Sequence, residues 1–215
     1  ESILIDPANE PTEEERKANI VIVTQSDEDH WKYLKDYGKS RIYSIGAIIN
    51  RLPNGIDKHP FLNPIKIGGI ILRPVKTIHR VGTPSIGIRV DAGKQKVSIL
   101  PEFLYLGEAT RDLISDTIWI AGCGDFDKDD EEAGKLSFKS LMALAEDLEP
   151  KAIYLTNLRK SILWHKKEIN EELKHWNGKI LLDGDSITSS DLVQKGMNGI
   201  YLVPLHGELI WKGDK

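Results

Sequence analysis

The fold of this chain is decided by residues 20–30, which read IVIVTQSDEDH. Its four leading β-branched residues predict a buried strand over Ile20–Thr24. Because successive strand residues point to opposite faces, we expect Gln25, Asp27 and Asp29 to converge on one side of the following loop, with His30 nearby. Carboxylate oxygens and an imidazole together suit zinc, manganese or iron. The stretch therefore predicts a metal site at the end of a strand.

Composition limits the class of protein. With 215 residues, of which 40% are hydrophobic and 29% charged, the chain can bury one substantial core. We find no uninterrupted apolar run of membrane-spanning length and no signal-peptide pattern, so we expect a soluble cytoplasmic protein without membrane contact. The lone Cys123 excludes an internal disulfide, and it is more typical of a packed residue than of a nucleophile. The net charge of −4 gives no general attraction to nucleic acid, although a local basic patch stays open.

Strands and helices alternate along the chain. Turn residues separate the apolar runs, and helical spacing of apolar residues follows several of them. Ser137 is a suitable N-cap for the second predicted helix. The alternation predicts sheets covered by helices rather than an all-β fold. The predicted strands are Ser2–Pro7, Ile20–Thr24, Arg41–Ser44, Ile65–Pro74, Ser85–Asp91, Val97–Leu100, Thr117–Ala121 and Ala152–Thr156, and the predicted helices are Asp29–Tyr37, Ser137–Leu148 and Lys166–His175.

Five segments together resemble the motifs of the metallo-β-lactamase superfamily. Residues 24–30 stand where that family has Thr-His-x-His-x-Asp-His, and residues 72–79 resemble the strand that ends in its third ligand histidine. Residues 97–102 resemble the strand that ends in the metal-bridging aspartate. Residues 134–158 resemble Gly-His-x-Ser, a helix and Leu-Thr-His, and residues 180–187 resemble the closing Ala-His-Asp-Gly-Met motif.

The resemblance implies an αββα four-layer sandwich of the metallo-β-lactamase type. It covers residues 1–187, with the strands that usually open the family's domain apparently missing before Ser2. Residues 188–215 extend beyond the family's usual end, either as an added strand or as part of a second domain.

The same resemblance implies a depleted metal centre. One ion would be held by Asp27, His79 and Glu102, with Gln25 as a weak neutral oxygen donor. The other would be held by Asp29, His30 and Glu102. The implied cofactors are one or two divalent ions, zinc or manganese, or none at all. Five of eight family positions have changed, namely Gln25, Asp27, Glu102, Asn157 and Leu182.

Two functions stay open. The first is a metal-dependent hydrolase of the phosphodiesterase or nuclease kind with weak or no catalysis, in which Asp29 handles protons and Asn157 hydrogen-bonds a substrate oxygen. The alternative is a non-catalytic binding or assembly module, nucleic-acid-associated or an oligomer subunit. In this second case the carboxylates and histidines form an ion-pair network without metal.

Basic residues after the last motif suggest a partner. If the fold assignment holds, Arg159 and Lys160 lie on a loop beside the cleft and suit contacts to phosphate, although an ordinary charged loop explains them equally well. The expected partner is a small-molecule or nucleic-acid phosphodiester, and a homo-oligomer stays open. The acidic residues 124–132 lack the glycine and glutamate of a calcium loop, so we expect a solvated loop there.

Overall fold

The computed structural model describes residues 2–13, 15–80, 83–181, 201–205 and 208–212. The chain divides into two compact units, each with its own sheet. The N-terminal unit consists of Glu1–Phe61 with Leu181–Lys215, and the central unit consists of Leu62–Ile180. None of the helices in the described ranges has the length and apolar character that a membrane crossing needs.

The sheet of the N-terminal unit has six strands in the order β13-β14-β1-β2-β3-β4. The first four strands of the chain are parallel, and each is paired with its neighbour in sequence. The central strand β2 is completely buried because all its side chains are β-branched and apolar. The strands are β1 (Ser2–Ile5), β2 (Ile20–Ile22), β3 (Arg41–Ser44), β4 (Asp57–Pro60), β13 (Tyr201–Leu205) and β14 (Glu208–Lys212).

The last two strands come from the predicted C-terminal extension. β14 pairs antiparallel with β1, with Ile3 opposite Trp211, and β13 pairs antiparallel with β14. Part of residues 188–215 therefore completes the sheet that β1 begins.

The predicted helix Asp29–Tyr37 is wrong. Two short 3₁₀ turns take its place, Glu28–His30 and Leu34–Tyr37. Only His30, Leu34 and Tyr37 are buried in these turns, so no continuous apolar stripe supports an α-helix. The one α-helix described in this unit is the short α1 (Gly46–Ile49).

The sheet of the central unit is half antiparallel and half parallel. Its order is β12-β11-β10-β8-β7-β6-β5, and β9 pairs with β6. Strands β5 to β8 are antiparallel neighbours, whereas β8, β10, β11 and β12 are parallel. The strands are β5 (Ile65–Ile67), β6 (Ile70–Arg80), β7 (Thr83–Ala92), β8 (Gln95–Leu100), β9 (Tyr105–Leu106), β10 (Ile118–Gly122), β11 (Ala152–Thr156) and β12 (Lys179–Ile180).

Two boundaries in this sheet differ from the sequence prediction. The single strand predicted over Ile65–Pro74 is a hairpin of β5 and β6, which turns at Gly68 and Gly69. Gly68 has a φ of 53°, a left-handed conformation that glycine adopts at little cost. The two-glycine turn is the signal that the prediction overlooked.

Three helices belong to the central unit, α2 (Glu108–Ile114), α3 (Phe138–Leu148) and α4 (Lys166–His175). The predicted cap is confirmed, because the Ser137 hydroxyl accepts a hydrogen bond of 3.1 Å from the Ser140 amide. Helix α4 has the predicted bounds, whereas α2 was not predicted. Apolar side chains of these helices share one core with the sheet, including Ile114, Trp119, Leu141, Ala145, Ile153, Leu155, Ile169 and Leu173.

Candidate functional site

The predicted site residues form two clusters, one in each unit. The His30 cluster, in the N-terminal unit, consists of Asp6, Thr24, Gln25 and His30. The Glu102 cluster, in the central unit, consists of His79, Glu102, Lys135 and Asn157. Each cluster is built where strands of its own sheet end.

Asp6 organises the His30 cluster. It follows β1 directly, has a φ of 52° and is only 6% exposed. One carboxylate oxygen accepts a hydrogen bond of 2.7 Å from the Thr24 amide, and the other accepts one of 2.5 Å from the Thr24 hydroxyl. Since β1 and β2 are parallel neighbours, their carboxyl ends meet and bring these two residues together. The carboxylate is therefore fixed by the sheet itself.

The same carboxylate orients His30. Nδ1 of the imidazole lies 3.1 Å from Oδ2 of Asp6. The opposite ring nitrogen, Nε2, contacts the side-chain amide of the fully buried Gln25. A carboxylate on one nitrogen is the arrangement that orients metal-binding histidines in proteins, but the Gln25 amide covers the nitrogen that a metal would use. The cluster is thus a closed hydrogen-bonded group.

The two aspartates of the first motif lie differently from the prediction. The strand ends at Ile22, and residues 25–30 form bends and a 3₁₀ turn, so the alternation of a strand does not hold there. Asp27 is the half-buried N-cap of that turn, and its carbonyl accepts the His30 amide at 3.0 Å. Asp29 is exposed. The expected convergence of Gln25, Asp27 and Asp29 on one side of an extended segment is therefore wrong.

The Glu102 cluster lies at the carboxyl edge of parallel strands. Glu102 follows β8 by two residues, and Asn157 directly follows β11 with a φ of 51°. Strand β10 lies between these two strands and ends in Gly122, where a Cβ atom would overlap the Pro101 carbonyl. The bare Gly122 backbone thus allows both loops to approach each other. This edge of an open α/β sheet is where ligand sites commonly form.

His79 reaches the cluster from the antiparallel half of the sheet. The β6–β7 register shifts between Ile78 and Arg80, which leaves His79 as the extra residue of a bulge. Bulges redirect a side chain next to functional sites. The imidazole is 2% exposed, and its Nε2 lies 3.3 Å from Oε2 of Glu102.

Three side chains surround the Glu102 carboxylate. Asn157 donates a hydrogen bond of 2.7 Å from Nδ2 to Oε1, and the Lys135 ammonium forms an ion pair with the same oxygen. His79 contacts the other oxygen. The Lys135 and Glu102 side chains are 15% and 8% exposed, so water screens this pair poorly. The one carboxylate of the cluster already has one positive charge beside it.

The backbone holds Lys135 in this position. Its N–H and C=O exchange hydrogen bonds of 3.0 and 2.9 Å with Asp130. The preceding Gly134 has a φ of 66°, and a Cβ there would overlap the ring and the carbonyl of His79. Glycine is therefore required both by the backbone conformation and by the packed imidazole.

Arg159 and Lys160, the predicted phosphate contacts, are both exposed, at the start of the 3₁₀ turn Lys160–His165. The Arg159 guanidinium pairs with Asp130 at 2.5 Å. The pKa of Asp130 lies below its ordinary value, chiefly because the Ala133 amide donates to its carboxylate, and also because of Arg159. Arg159 thus connects two loops of the central unit.

Cys123 follows β10 and is completely buried. Burial raises the pKa of its thiol to about 12, so almost no thiolate exists near neutral pH. The prediction of a packed cysteine is confirmed. Leu182, which stands in the place of the family's last ligand, lies outside the described residues.

The described residues do not fit the metal centre that the resemblance implies. The Glu102 carboxylate, its bridging ligand, already contacts an ammonium, an amide and an imidazole. In the described part of the chain, no three His, Cys, Asp or Glu side chains are grouped so that they could hold an ion. The donor set therefore suits a carboxylate neutralised by lysine, and no reaction step is assigned to a metal.

Sequence reasoning missed Asp6 and underrated Lys135. Asp6 lies in the Ile-Asp-Pro turn, and nothing in that turn points to a histidine 24 positions later. Lys135 was recognised only as a replacement of histidine. A signal was available, since one new cation near a retained carboxylate suggests an ion pair.

Three solved structures are similar to this chain. A diphosphatase of the PhnP family matches with a TM-score of 0.66 and 17% identity, over 78% of this chain and 70% of that chain. The metallo-β-lactamase fold protein YhfI from Bacillus subtilis matches with 0.61 and 17%, over 77% and 75%. Zn²⁺-bound PqqB from Methylobacterium extorquens matches with 0.65 and 13%, over 84% and 77%.

No protein-family model and no curated protein matches the sequence. The structural similarity extends over most of the chain at low sequence identity, which is evidence about fold rather than activity. With its two sheets, each part of an α/β unit, the chain has the metallo-β-lactamase fold, an α/β sandwich.

Proposed function

We propose that this chain is a non-catalytic binding protein derived from metal-dependent hydrolases, in which a lysine ammonium has replaced the metal. The observation that carries the proposal is the contact between Lys135 and the buried Glu102 carboxylate. The relatives by fold include proteins described as a diphosphatase and as Zn²⁺-bound. This supports descent from such enzymes.

Electrostatics favours lysine over a divalent ion in the Glu102 cluster. A cation entering the cluster would meet a positive charge held against the only carboxylate there. Displacing that ammonium would leave it in a largely buried place without its counterion, which is costly. A catalytic zinc also needs about three protein ligands and an open position, and the cluster supplies one imidazole and one occupied carboxylate.

The remaining groups are suited to binding rather than to proton transfer. The Asn157 amide cannot act as an acid, and its NH₂ group already donates to Glu102. The chain keeps its fold and its loops at the sheet edge, where a phosphate-bearing small molecule or nucleic acid is the proposed partner. A cytoplasmic location and a homo-oligomer stay predictions.

A second candidate function is weak metal-dependent hydrolysis. It is favoured by the Asp6–His30 pair, in which a carboxylate orients an imidazole as it does beside many bound metals. A small movement of Gln25 would uncover the other ring nitrogen. This candidate requires bound metal, whereas the first does not.

Turnover of bis(p-nitrophenyl) phosphate separates the two functions. We expect the purified protein to release no nitrophenol above the buffer rate with zinc, manganese or EDTA. Matched samples of the Glu102→Ala and Asp6→Ala variants show whether any activity comes from a contaminant. Metal-dependent turnover in the wild type that both variants lose would overturn the proposal in favour of the hydrolase.

A further inference from the structure

Trp164 is the most exposed large apolar side chain in the described part of the chain. It is 87% exposed, at the end of the 3₁₀ turn Lys160–His165. Tryptophan is normally buried to a large extent, because its ring loses much apolar surface to the interior. An indole held almost completely in water therefore needs an explanation.

The backbone around Trp164 is firmly anchored. Ile162, two residues before it, is 1% exposed in the core of the central unit. The ring of His165, directly after it, stacks on Phe126 with 4.1 Å between centroids and 8° between planes. Helix α4 follows at once and is fixed by the buried Ile169 and Leu173. Trp164 is thus presented on an ordered turn, so binding through it would cost little ordering.

The side chains that flank Trp164 are basic. Lys160, Lys166 and Lys167 are all exposed, and residues 159–167 contain no carboxylate. At about 2 Å of rise per residue in a 3₁₀ turn, Lys160 begins roughly 8 Å from the indole along the axis. The nearest acid, Glu168, contacts His165 at 3.3 Å. Trp164 with these three lysines is named the Trp164 patch.

We propose that the Trp164 patch binds single-stranded nucleic acid, with one base stacked on the indole and phosphates beside the lysines. An exposed aromatic ring next to flexible cations is the combination that binds single strands without sequence preference. An anionic membrane suits the patch less well, because Trp164 is its one large exposed apolar residue and Glu171 and Glu172 are exposed further along α4. The proposal holds whether or not the Glu102 cluster binds metal.

Fluorescence anisotropy of a labelled ten-nucleotide oligouridine, in EDTA and 50 mM salt, tests stacking. We expect Trp164→Ala to weaken binding about five-fold or more, and Trp164→Phe to weaken it less. The control Tyr105→Ala removes another exposed aromatic ring of the same unit, 48% exposed, and should leave affinity unchanged. Since Trp164 is exposed, its variants should keep the wild-type circular dichroism.

Charge variants test the lysines. The triple variant Lys160→Gln, Lys166→Gln, Lys167→Gln should lower affinity and flatten its dependence on salt. The control triple variant Lys66→Gln, Lys94→Gln, Lys96→Gln removes the same charge from other exposed lysines of the unit and should change both much less.

Four results would overturn the proposal. They are wild type that does not bind the oligonucleotide, equal affinity in Trp164→Ala, equal loss in both triple variants, and binding to phosphatidylserine vesicles but not to the oligonucleotide. A ten-base-pair duplex bound as tightly as the single strand would likewise contradict base stacking.

Discussion

The two clusters differ in what neutralises their carboxylate. In the N-terminal unit, Asp6 receives hydrogen bonds from Thr24 and orients His30, and no lysine or arginine contact is described for it. In the central unit, Glu102 is paired with the Lys135 ammonium. One half of the family's site thus keeps an arrangement typical of metal support, whereas the other half carries its own cation.

This difference indicates how a metal centre can be lost while its fold is kept. A buried carboxylate left without metal is destabilising unless another positive group pairs with it. The lysine provides that group within one loop, without any change in the strands. We infer that the Glu102 cluster now stabilises the central unit, and that the comparison between the clusters can be broken by substitution.

The largest effect is expected for Lys135→Met. It removes the cation from a carboxylate that is 8% exposed, and removing one partner of a buried pair costs about 3–5 kcal/mol. Urea unfolding measures the loss. The control Lys17→Met breaks an exposed pair with Glu13 and should cost less than about 0.5 kcal/mol. Similar losses in both variants would remove the distinction on which the comparison rests.

Gly134→Ala should have the next largest effect. The left-handed backbone and the overlap with His79 together cost about 2–4 kcal/mol. Gly55→Ala is the matched control in the other unit, since Gly55 has a φ of 85° and open space around its Cα, so that only the backbone cost of about 1–2 kcal/mol remains. Equal stability losses would show that Gly134 does not hold His79 in place.

Asp6→Asn tests the His30 cluster and should cost about 2 kcal/mol. Asparagine tolerates the left-handed backbone, but its NH₂ group cannot accept the hydrogen bonds that Oδ2 accepts. Asp29→Asn changes an exposed residue of the same motif and should be nearly neutral in the same unfolding experiment. A neutral Asp6→Asn variant would mean that Asp6 does not organise the cluster.

Asp91→Asn calibrates an ordinary ion pair of the central unit and should cost about 1–2 kcal/mol at pH 7. Burial by itself would raise the pKa of Asp91, but hydrogen bonds and charges of Arg73 and Arg89, each 2.6 Å away, outweigh burial and lower it. A lowered folded-state pKa gives stability that is complete above the unfolded pKa of about 4.

The difference between wild type and Asp91→Asn should therefore vanish as the pH falls from about 4 through the lowered pKa. Urea titrations at several pH values measure it, with the exposed Asp112→Asn as control. A difference that grows toward acid pH would reverse the sign and contradict the assignment.

Local patterns in the sequence predicted most elements correctly. The apolar run before Thr24 became β2, and the spacing after Trp164 gave α4 with the predicted bounds. The fold class is confirmed because motif order, unlike any single motif, constrains the whole chain. Short turns such as Glu28–His30 were mistaken for a helix, since 3₁₀ and α-helical turns have similar local composition.

Contacts between distant residues could not be predicted in the same way. The Asp6–His30 pair depends on β1 and β2 lying side by side, and the Lys135–Glu102 pair joins residues 33 positions apart through a loop and a bulge. Side-chain identity announced the changed ligands. Only the assembled sheet shows which cation pairs with which carboxylate.

Metal content is the most direct test of the claim that Lys135 replaces the metal. Elemental mass spectrometry is applied to protein incubated with zinc or manganese and then dialysed against metal-free buffer. The account predicts a metal-to-chain ratio near zero under both conditions. A ratio near one or two, lost in Glu102→Ala, would contradict it and assign this chain to the metal-binding members of its fold.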